Sequence, residues 1–188
     1  VGALDNGIGV VGMAPGARLW AVRVLGNNGT GTTSQIIAGI DWVTARASTI
    51  EVANISITGG ASASVDAAVN RMADAGIAVA VAAGNDDKDA SGYSPARASK
   101  VLTVSAMADY DGAPGAVGQP PSNFCLDQDD TLADFSNWGP AIDIAAPGCR
   151  ILSTYSGGGY AWINGTSMAS PHVAGALALL ASRGFART

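Results

Sequence analysis

A serine at the start of a predicted helix is the strongest candidate for chemistry in this 188-residue chain. Ser167 follows Gly165 and Thr166 and opens an alanine- and leucine-rich stretch that predicts a helix over residues 167–182. Unpaired N–H groups and the helix dipole favour negative charge at such a position. This setting suits a serine whose attack on a carbonyl creates an oxyanion. A serine or threonine at a helix start is also a common N-cap, so both interpretations stay open here.

His172 is the only histidine of the chain, but it is not expected to act as the base for Ser167. Five positions along one helix place the two side chains about 140° apart around the axis. They then point to different faces and cannot share a hydrogen bond. We therefore predict that His172 is a packed, partly buried residue.

A second polar candidate follows a buried strand. Residues 77–83 form a continuous apolar run, which is typical of a strand buried on both faces of a parallel sheet. Asn85 comes just after this run and could donate an amide N–H to a developing oxyanion. The alternative is an asparagine that simply forms a turn after Gly84.

These candidates need an α/β scaffold to hold them. The periodicity predicts helices over 32–47, 64–75 and 167–182, strands over 18–25, 51–57, 77–83, 101–107, 142–145 and 151–154, and a loop over 109–134. The alternation of the two predicts a doubly wound, mostly parallel sheet with helices on both faces. Sites in such sheets lie beyond the carboxyl ends of the strands, which directs attention to 26–31, 58–60 and 84–86.

Composition excludes two classes of partner. The net charge is −5 and the basic residues are scattered, which argues against nucleic acid. The longest apolar stretches, 77–83 and 173–181, are far shorter than the ~20 residues that span a bilayer. We therefore expect neither a nucleic-acid partner nor a membrane partner.

The two cysteines and a glycine-rich motif near the start of the sequence each have more than one interpretation. Cys125 and Cys149 form either one disulfide, which would indicate a secreted protein, or two free buried thiols. Residues 7–12 match G-x-G-x-x-G, but a dinucleotide site also needs a strand before it and a helix opening within it. Pro15 and Gly16 interrupt any such helix, so we expect no nucleotide site there.

Several motifs together resemble the subtilisin-like serine protease (subtilase) family. The family signature G-T-S-M-A-S-P-H-V-A-G runs unbroken from Gly165 to Gly175, and the segments 82–85, 136–140 and 145–148 match family motifs in the same order. The resemblance covers nearly the whole chain. It implies hydrolysis of peptide bonds in a polypeptide substrate by Ser-His-Asp acyl transfer.

The resemblance also implies roles for individual residues. Ser167 would be the nucleophile, and the Asn85 side chain and the Ser167 backbone N–H would stabilise the oxyanion. The remaining positions would contact the substrate: Gly29, Thr30 and Gly31 as one edge, Ser56, Ile57 and Thr58 as the other, and Ala82, Ala83 and Gly84 as a wall of the pocket for the residue before the cleaved bond. Either Thr58 stands where the family pattern S-L-G-G has glycine, or a one-residue insertion shifts the match.

A calcium loop is a further implication of the resemblance. Asn6 would offer its side-chain oxygen, and Leu4, Ile8 and Val10 their backbone carbonyls. Oxygen ligands on a glycine-containing loop suit a structural Ca²⁺. The alternative is a plain glycine-rich turn, and the chemistry itself requires no cofactor.

The chain departs from the family by lacking its histidine and aspartate motifs. In the family these motifs lie upstream of the position that Val1 matches. We therefore expect residues 1–188 to be a partial peptidase domain with little activity alone. Its expected partners are the N-terminal part of the domain or an inhibitory propeptide. The rival hypothesis is a non-catalytic peptide-binding module, a pseudoprotease.

Overall fold

The computed structural model describes residues 1–120 and 125–185. Three helices are present in these ranges: α1 (Thr33–Thr44), α2 (Ala63–Asp74) and α3 (Thr166–Ser182). The strands of the same ranges are β1 (Val52–Ile55), β2 (Gly59–Gly60), β3 (Ala78–Ala82), β4 (Tyr93–Ser94), β5 (Leu102–Ala108), β6 (Thr131–Leu132), β7 (Ile144–Pro147), β8 (Ile151–Tyr155) and β9 (Gly159–Ile163).

The central sheet is mostly parallel. Its strands run in the order β1, β3, β5 and β7, all parallel, and β6 adds an antiparallel pairing at the end of β5. The pairing of β1 with β3 ends at Ile55 opposite Val81. Both strands therefore deliver the residues that follow them to the same edge of the sheet.

The core lies on both faces of β3, because successive side chains of a strand point to opposite faces. Val79 and Val81 contact the apolar cluster formed with α1 and α2, whereas Ala80 belongs to the cluster beneath α3. All five residues of β3 are buried. The predicted doubly wound α/β arrangement with helices on both faces is confirmed.

The predicted helices match the structure closely. Helix α1 begins after Thr32, whose hydroxyl accepts from the Gln35 N–H at 3.2 Å while the Gln35 side chain accepts from the Thr32 N–H at 2.8 Å. This reciprocal capping box satisfies two N–H groups that a helix start leaves without partners. Helix α2 lies within one residue of its prediction at each end.

The predicted strand over 18–25 is wrong. This segment pairs with no other strand in the described part of the chain, although Val22 and Val24 both pack on α1 at Gly39. A groove of about 990 Å³ separates it from β1, and residues 17–22 and 48–57 line its two sides. The residues have strand-forming character, but a strand also needs a neighbour for its hydrogen bonds.

The predicted loop over 109–134 is also partly wrong, because it contains β6. Cys125 of this segment forms a disulfide with Cys149, which lies in the turn between β7 and β8, and their Cα atoms are 5.8 Å apart. The hairpin of β8 and β9 includes a second strand that the sequence did not predict. Across the described residues, every helix is too short or too polar to cross a bilayer.

Candidate active site

Ser167 lies one residue inside the N-terminus of α3. The residue that caps this helix is Gly165, with φ of +146°, and no side chain caps it. The N-cap interpretation of Ser167 is therefore wrong. The Ser167 hydroxyl is directed instead toward the carbonyl oxygen of Ser56, with the two oxygens 3.4 Å apart.

A proline inside α3 changes the hydrogen bonding of the Ser167 backbone. Pro171 has no N–H, so the carbonyl of Ser167, four residues earlier, lacks its usual helical donor. The Ser56 hydroxyl donates to that carbonyl at 2.9 Å and replaces the missing bond. The segment after β1 is thereby fastened directly to the backbone of Ser167.

Two more polar side chains join β1 to α3. The Asn54 amide donates to the Ser56 hydroxyl at 3.0 Å, and the Ser170 hydroxyl donates to the Asn54 carbonyl oxygen at 2.7 Å. Ser170 is fully buried. These bonds orient the hydroxyl of Ser56 toward the helix, because both sides of Asn54 are occupied.

The side chain of Asn85 has one defined orientation. Its carbonyl oxygen accepts from the Thr166 N–H at 2.8 Å and from the Thr166 hydroxyl at 2.9 Å. A backbone N–H can only donate, so this atom must be the oxygen and the amide nitrogen must lie on the other side. The hydroxyl of Thr166, which is fully buried, also accepts from the Gly84 N–H at 3.1 Å.

Two N–H groups border the space beside Gly165. A Cβ placed on Gly165 would lie 3.6 Å from the Asn85 amide nitrogen, 3.7 Å from the Ser167 backbone nitrogen and 3.7 Å from the Asn85 carbonyl oxygen, which already accepts from Thr166. Because residue 165 is a glycine, no side chain fills this space. Two donors that border one small space can stabilise an oxygen that becomes negatively charged there.

The strand end that carries Asn85 is held by a residue to which sequence reasoning assigned no role. Asn137 is fully buried, donates to the Ala83 carbonyl at 2.9 Å and accepts from the N–H groups of Asp86 and Lys88 at 3.0 and 3.1 Å. The motif over residues 136–140 is the signal that pointed to it. Gly84, at φ of +109°, has no room for a Cβ, which would lie 2.2 Å from the Asn137 amide nitrogen.

The other predicted substrate residues fall into two groups. Ser56, Ile57 and Thr58 follow β1, and Ala82, Ala83 and Gly84 end and follow the neighbouring β3, so both sets lie at the same edge of the sheet. The space between the two sets is called the slot; Thr58 Cγ2 lies 3.6 Å from the position of a Cβ on Gly84. Gly29, Thr30 and Gly31 lie in an exposed turn closed by a bond from the Gly26 N–H to the Thr30 carbonyl at 2.8 Å. Within the described ranges, no hydrogen bond joins that turn to Ser167 or Asn85.

His172 does not approach the Ser167 hydroxyl. Its Nδ1 atom pairs with the carbonyl oxygen of Met168 at 2.8 Å, one turn back along its own helix, and the residue is half-buried. The predicted structural role of His172 agrees with this contact. Among residues 1–120 and 125–185, no carboxylate, imidazole or amine is hydrogen-bonded to the Ser167 hydroxyl.

The loop predicted to bind calcium has the right type of ligand atom, oxygen, but too few of these atoms. Asn6 uses its side-chain oxygen to accept from the Ile8 N–H at 3.1 Å, between Gly7 and Gly9, which both have positive φ. With the carbonyls of Leu4, Ile8 and Val10 the loop offers four neutral oxygens, whereas Ca²⁺ takes six to eight. These four residues alone therefore offer fewer oxygens than Ca²⁺ takes. No helix opens within the G-x-G-x-x-G of residues 7–12, because the first helix of the described residues begins at Thr33.

Comparison with known proteins agrees with this geometry. The sequence profile of the subtilase family matches residues 1–186. The chain belongs to the subtilase family. This subtilase is 43% identical over 168 residues to alkaline serine exoprotease A of Vibrio alginolyticus, in an alignment that covers 89% of this chain and 28% of the relative. It is 41% identical over 181 residues to subtilisin Savinase of Lederbergia lenta, with 96% and 59% covered.

A solved structure supports the same family. It is described as a cold adapted subtilisin-like serine proteinase, it is 40% identical to this subtilase, and it superposes with a TM-score of 0.75. The match covers 88% of this chain and 54% of the other. The chain thus spans between about a quarter and three fifths of the length of the curated relatives named above.

Proposed function

We propose that this chain is the nucleophile-bearing part of a serine endopeptidase, which hydrolyses peptide bonds by acyl transfer through Ser167. The observation that carries the proposal is the space beside Gly165, which the Asn85 amide nitrogen and the backbone nitrogen of Ser167 both border. A common N-capping serine needs no such pair of donors.

The arrangement suggests the following chemistry. The Ser167 oxygen attacks the carbonyl carbon of the substrate peptide, a base takes the hydroxyl proton, and the carbonyl oxygen becomes an oxyanion that accepts from the two N–H groups. Collapse of this intermediate breaks the C–N bond, and the amine leaves with a proton. Water then attacks the acyl group and returns the Ser167 hydroxyl.

The base and its partner must come from residues outside this chain. Serine is a weak nucleophile without an adjacent base, so we expect the isolated chain to have little or no activity. The groove between residues 17–22 and β1 is a suitable place for an added segment, because the outer edge of β1 has no strand beside it in the described structure. We propose that the N-terminal part of the peptidase domain fills this groove and brings the histidine and the aspartate. An inhibitory propeptide is a second proposed partner.

The substrate would be a polypeptide bound in an extended conformation. Ser56, Ile57 and Thr58 would pair with it on one side and Gly29, Thr30 and Gly31 on the other, as in strand addition to a sheet edge. Ala82, Ala83 and Gly84 would form one wall of the pocket for the residue before the cleaved bond. The position of both sets at one edge of the sheet, with Thr58 beside Gly84, supports the assignment of the first edge and the wall.

The protein would also bind a structural calcium ion and be secreted. Leu4, Asn6, Ile8 and Val10 would supply part of a structural calcium site, with the remaining ligands from outside this chain. The disulfide between Cys125 and Cys149 supports an extracellular location, because such bonds persist in oxidising compartments.

The rival function is a pseudoprotease that binds peptides without cleaving them. The two hypotheses differ in the behaviour of the full-length protein toward a chromogenic peptide library. We expect hydrolysis by the wild type and none by S167A, which should still bind the same peptides. Binding without hydrolysis by the wild type, in a protein that contains the upstream histidine and aspartate, would favour the pseudoprotease.

A further inference from the structure

The slot between the two continued strands is narrowed by one side chain. Thr58 and Gly84 each lie three residues beyond the last pair of the β1 and β3 ladder, Ile55 with Val81. The Thr58 methyl carbon, Cγ2, lies 3.6 Å from the position that a Cβ would have on Gly84. The side chain of Thr58 therefore lies beside the backbone of Gly84.

This spacing leaves no room for a large side chain between the walls. A carbon atom inserted between two apolar surfaces needs about 3.5–4.0 Å to each of them, or roughly 7–8 Å in total. The Gly84 Cα lies about 1.5 Å from that Cβ position, so the Thr58 methyl is at most about 5 Å from the Cα, which is less than this total. An aromatic ring or a branched aliphatic chain could enter only if one wall moved.

The wall at Gly84 is held from several directions. Ala82 and Ala83 are fully buried, and the Gly84 N–H donates to Thr166 at 3.1 Å. Asn137 donates its side-chain amide to the Ala83 carbonyl and its backbone N–H to the Gly84 carbonyl, both at 2.9 Å. Moving this wall outward would break bonds to buried groups.

The wall at Thr58 is fixed on both sides of the residue. Before it, the Ser56 hydroxyl is bonded to the Ser167 carbonyl at 2.9 Å. After it, β2 forms an antiparallel pair with β4, and Tyr93 of β4 packs on a cluster of buried alanines. Thr58 therefore cannot leave the slot by a simple shift of its loop.

We propose that Thr58 restricts the residue before the cleaved bond to small side chains, namely glycine, alanine and serine. This inference rests on the proposed peptidase function and adds a substrate class to it. Thr58 acts by excluding larger side chains through contact, and it takes no part in bond making or breaking.

The test compares the full-length protein with two variants on peptides that differ only in the residue before the cleaved bond: Ala, Ser, Leu, Phe or Lys. T58A removes the methyl group from the slot, whereas T58V keeps the branched shape and serves as the matched control. One methyl group in a pocket changes discrimination by about 10–200-fold. We expect the ratio of kcat/KM for Phe to that for Ala to rise at least about tenfold in T58A and to stay within about threefold of wild type in T58V.

Each outcome has a distinct meaning. A wild type that cleaves after Phe, Leu or Lys as fast as after Ala, or a T58A variant with an unchanged ratio, would overturn the inference while leaving peptidase function intact. Cleavage of none of the peptides by the full-length protein would overturn the peptidase function, and the inference with it. Thermal melting of both variants separates a change in selectivity from a loss of folding.

Discussion

Replacement of Asn85 by aspartate should separate catalysis from folding, because the two ends of this side chain have different tasks. The carbonyl oxygen accepts two hydrogen bonds from Thr166, at 2.8 and 2.9 Å, and an aspartate oxygen can accept both. A negative charge is also favoured at the N-terminus of α3. We therefore expect N85D to melt at or above the temperature of the wild type. The amide nitrogen beside Gly165 is lost, and with it the donor to the oxyanion.

The expected loss of activity is large. Its magnitude is borrowed from subtilisin itself, where removal of the asparagine donor lowers kcat by about 10²–10³. N85D should lose at least this factor, because its charge also repels the oxyanion. N85A should lose a similar factor in kcat and also be less stable, since it leaves two donors of buried Thr166 without an acceptor, at about 1–3 kcal/mol each.

The assay is steady-state hydrolysis of a chromogenic peptide by the full-length protein, with thermal melting of the same preparations. The reasoning would be refuted by an N85D variant whose kcat stays within tenfold of the wild type. Equal destabilisation of N85D and N85A would contradict the assigned orientation of the amide.

Three further predictions concern the framework around the site. S56A should lower the free energy of unfolding of the full-length protein by about 1–3 kcal/mol in urea, because the Ser167 carbonyl, which Pro171 leaves without a helical donor, loses the Ser56 hydroxyl as its donor. In a P171A background the Ser167 carbonyl regains a backbone donor, so the same S56A change should cost less. An equal cost in both backgrounds would argue against this role of Ser56. Burial, followed by the charges of nearby aspartates, raises the pKa of Tyr110, whose hydroxyl donates to the Cys125 carbonyl at 2.9 Å. Because the pKa of Tyr110 is higher in the folded state, its contribution to stability is fully present below the pKa of an unfolded tyrosine and is lost as the pH rises through the folded-state pKa. The free energy of unfolding should therefore fall more steeply with alkaline pH in the wild type than in Y110F. Identical pH dependence of the two proteins would refute this prediction. C149S should lower the free energy of unfolding by about 2–4 kcal/mol relative to the oxidised wild type, because it removes the disulfide. The wild type with its disulfide reduced is the control and should show the same loss.

Local patterns in the sequence were sufficient for much of the fold. Helix α1 carries its own start signal at Thr32, and β3 is apolar at every position because helices cover both faces of it. The position of Ser167 at the start of a helix and the turn that presents Asn85 are also local. Both could be predicted, because each depends on neighbours a few residues away.

Other features depend on contacts between distant parts of the chain. Residues 18–25 have strand-forming side chains, yet no property of the segment reveals whether a partner lies beside it. The bond between Ser56 and the Ser167 carbonyl spans 111 positions and exists because a proline removed a donor. The same holds for Asn137, whose partners lie 49 to 54 positions away. Periodicity contains no information about such pairs.

The most direct test of the account is covalent labelling of the full-length protein with a fluorophosphonate, followed by peptide mass spectrometry. Such a probe reacts with a serine that is activated by a base and assisted by an oxyanion site. We predict a single adduct on Ser167, its loss in S167A, and much weaker labelling in N85D. An intact full-length protein that contains the upstream histidine and aspartate, yet leaves Ser167 unlabelled, would contradict the central claim.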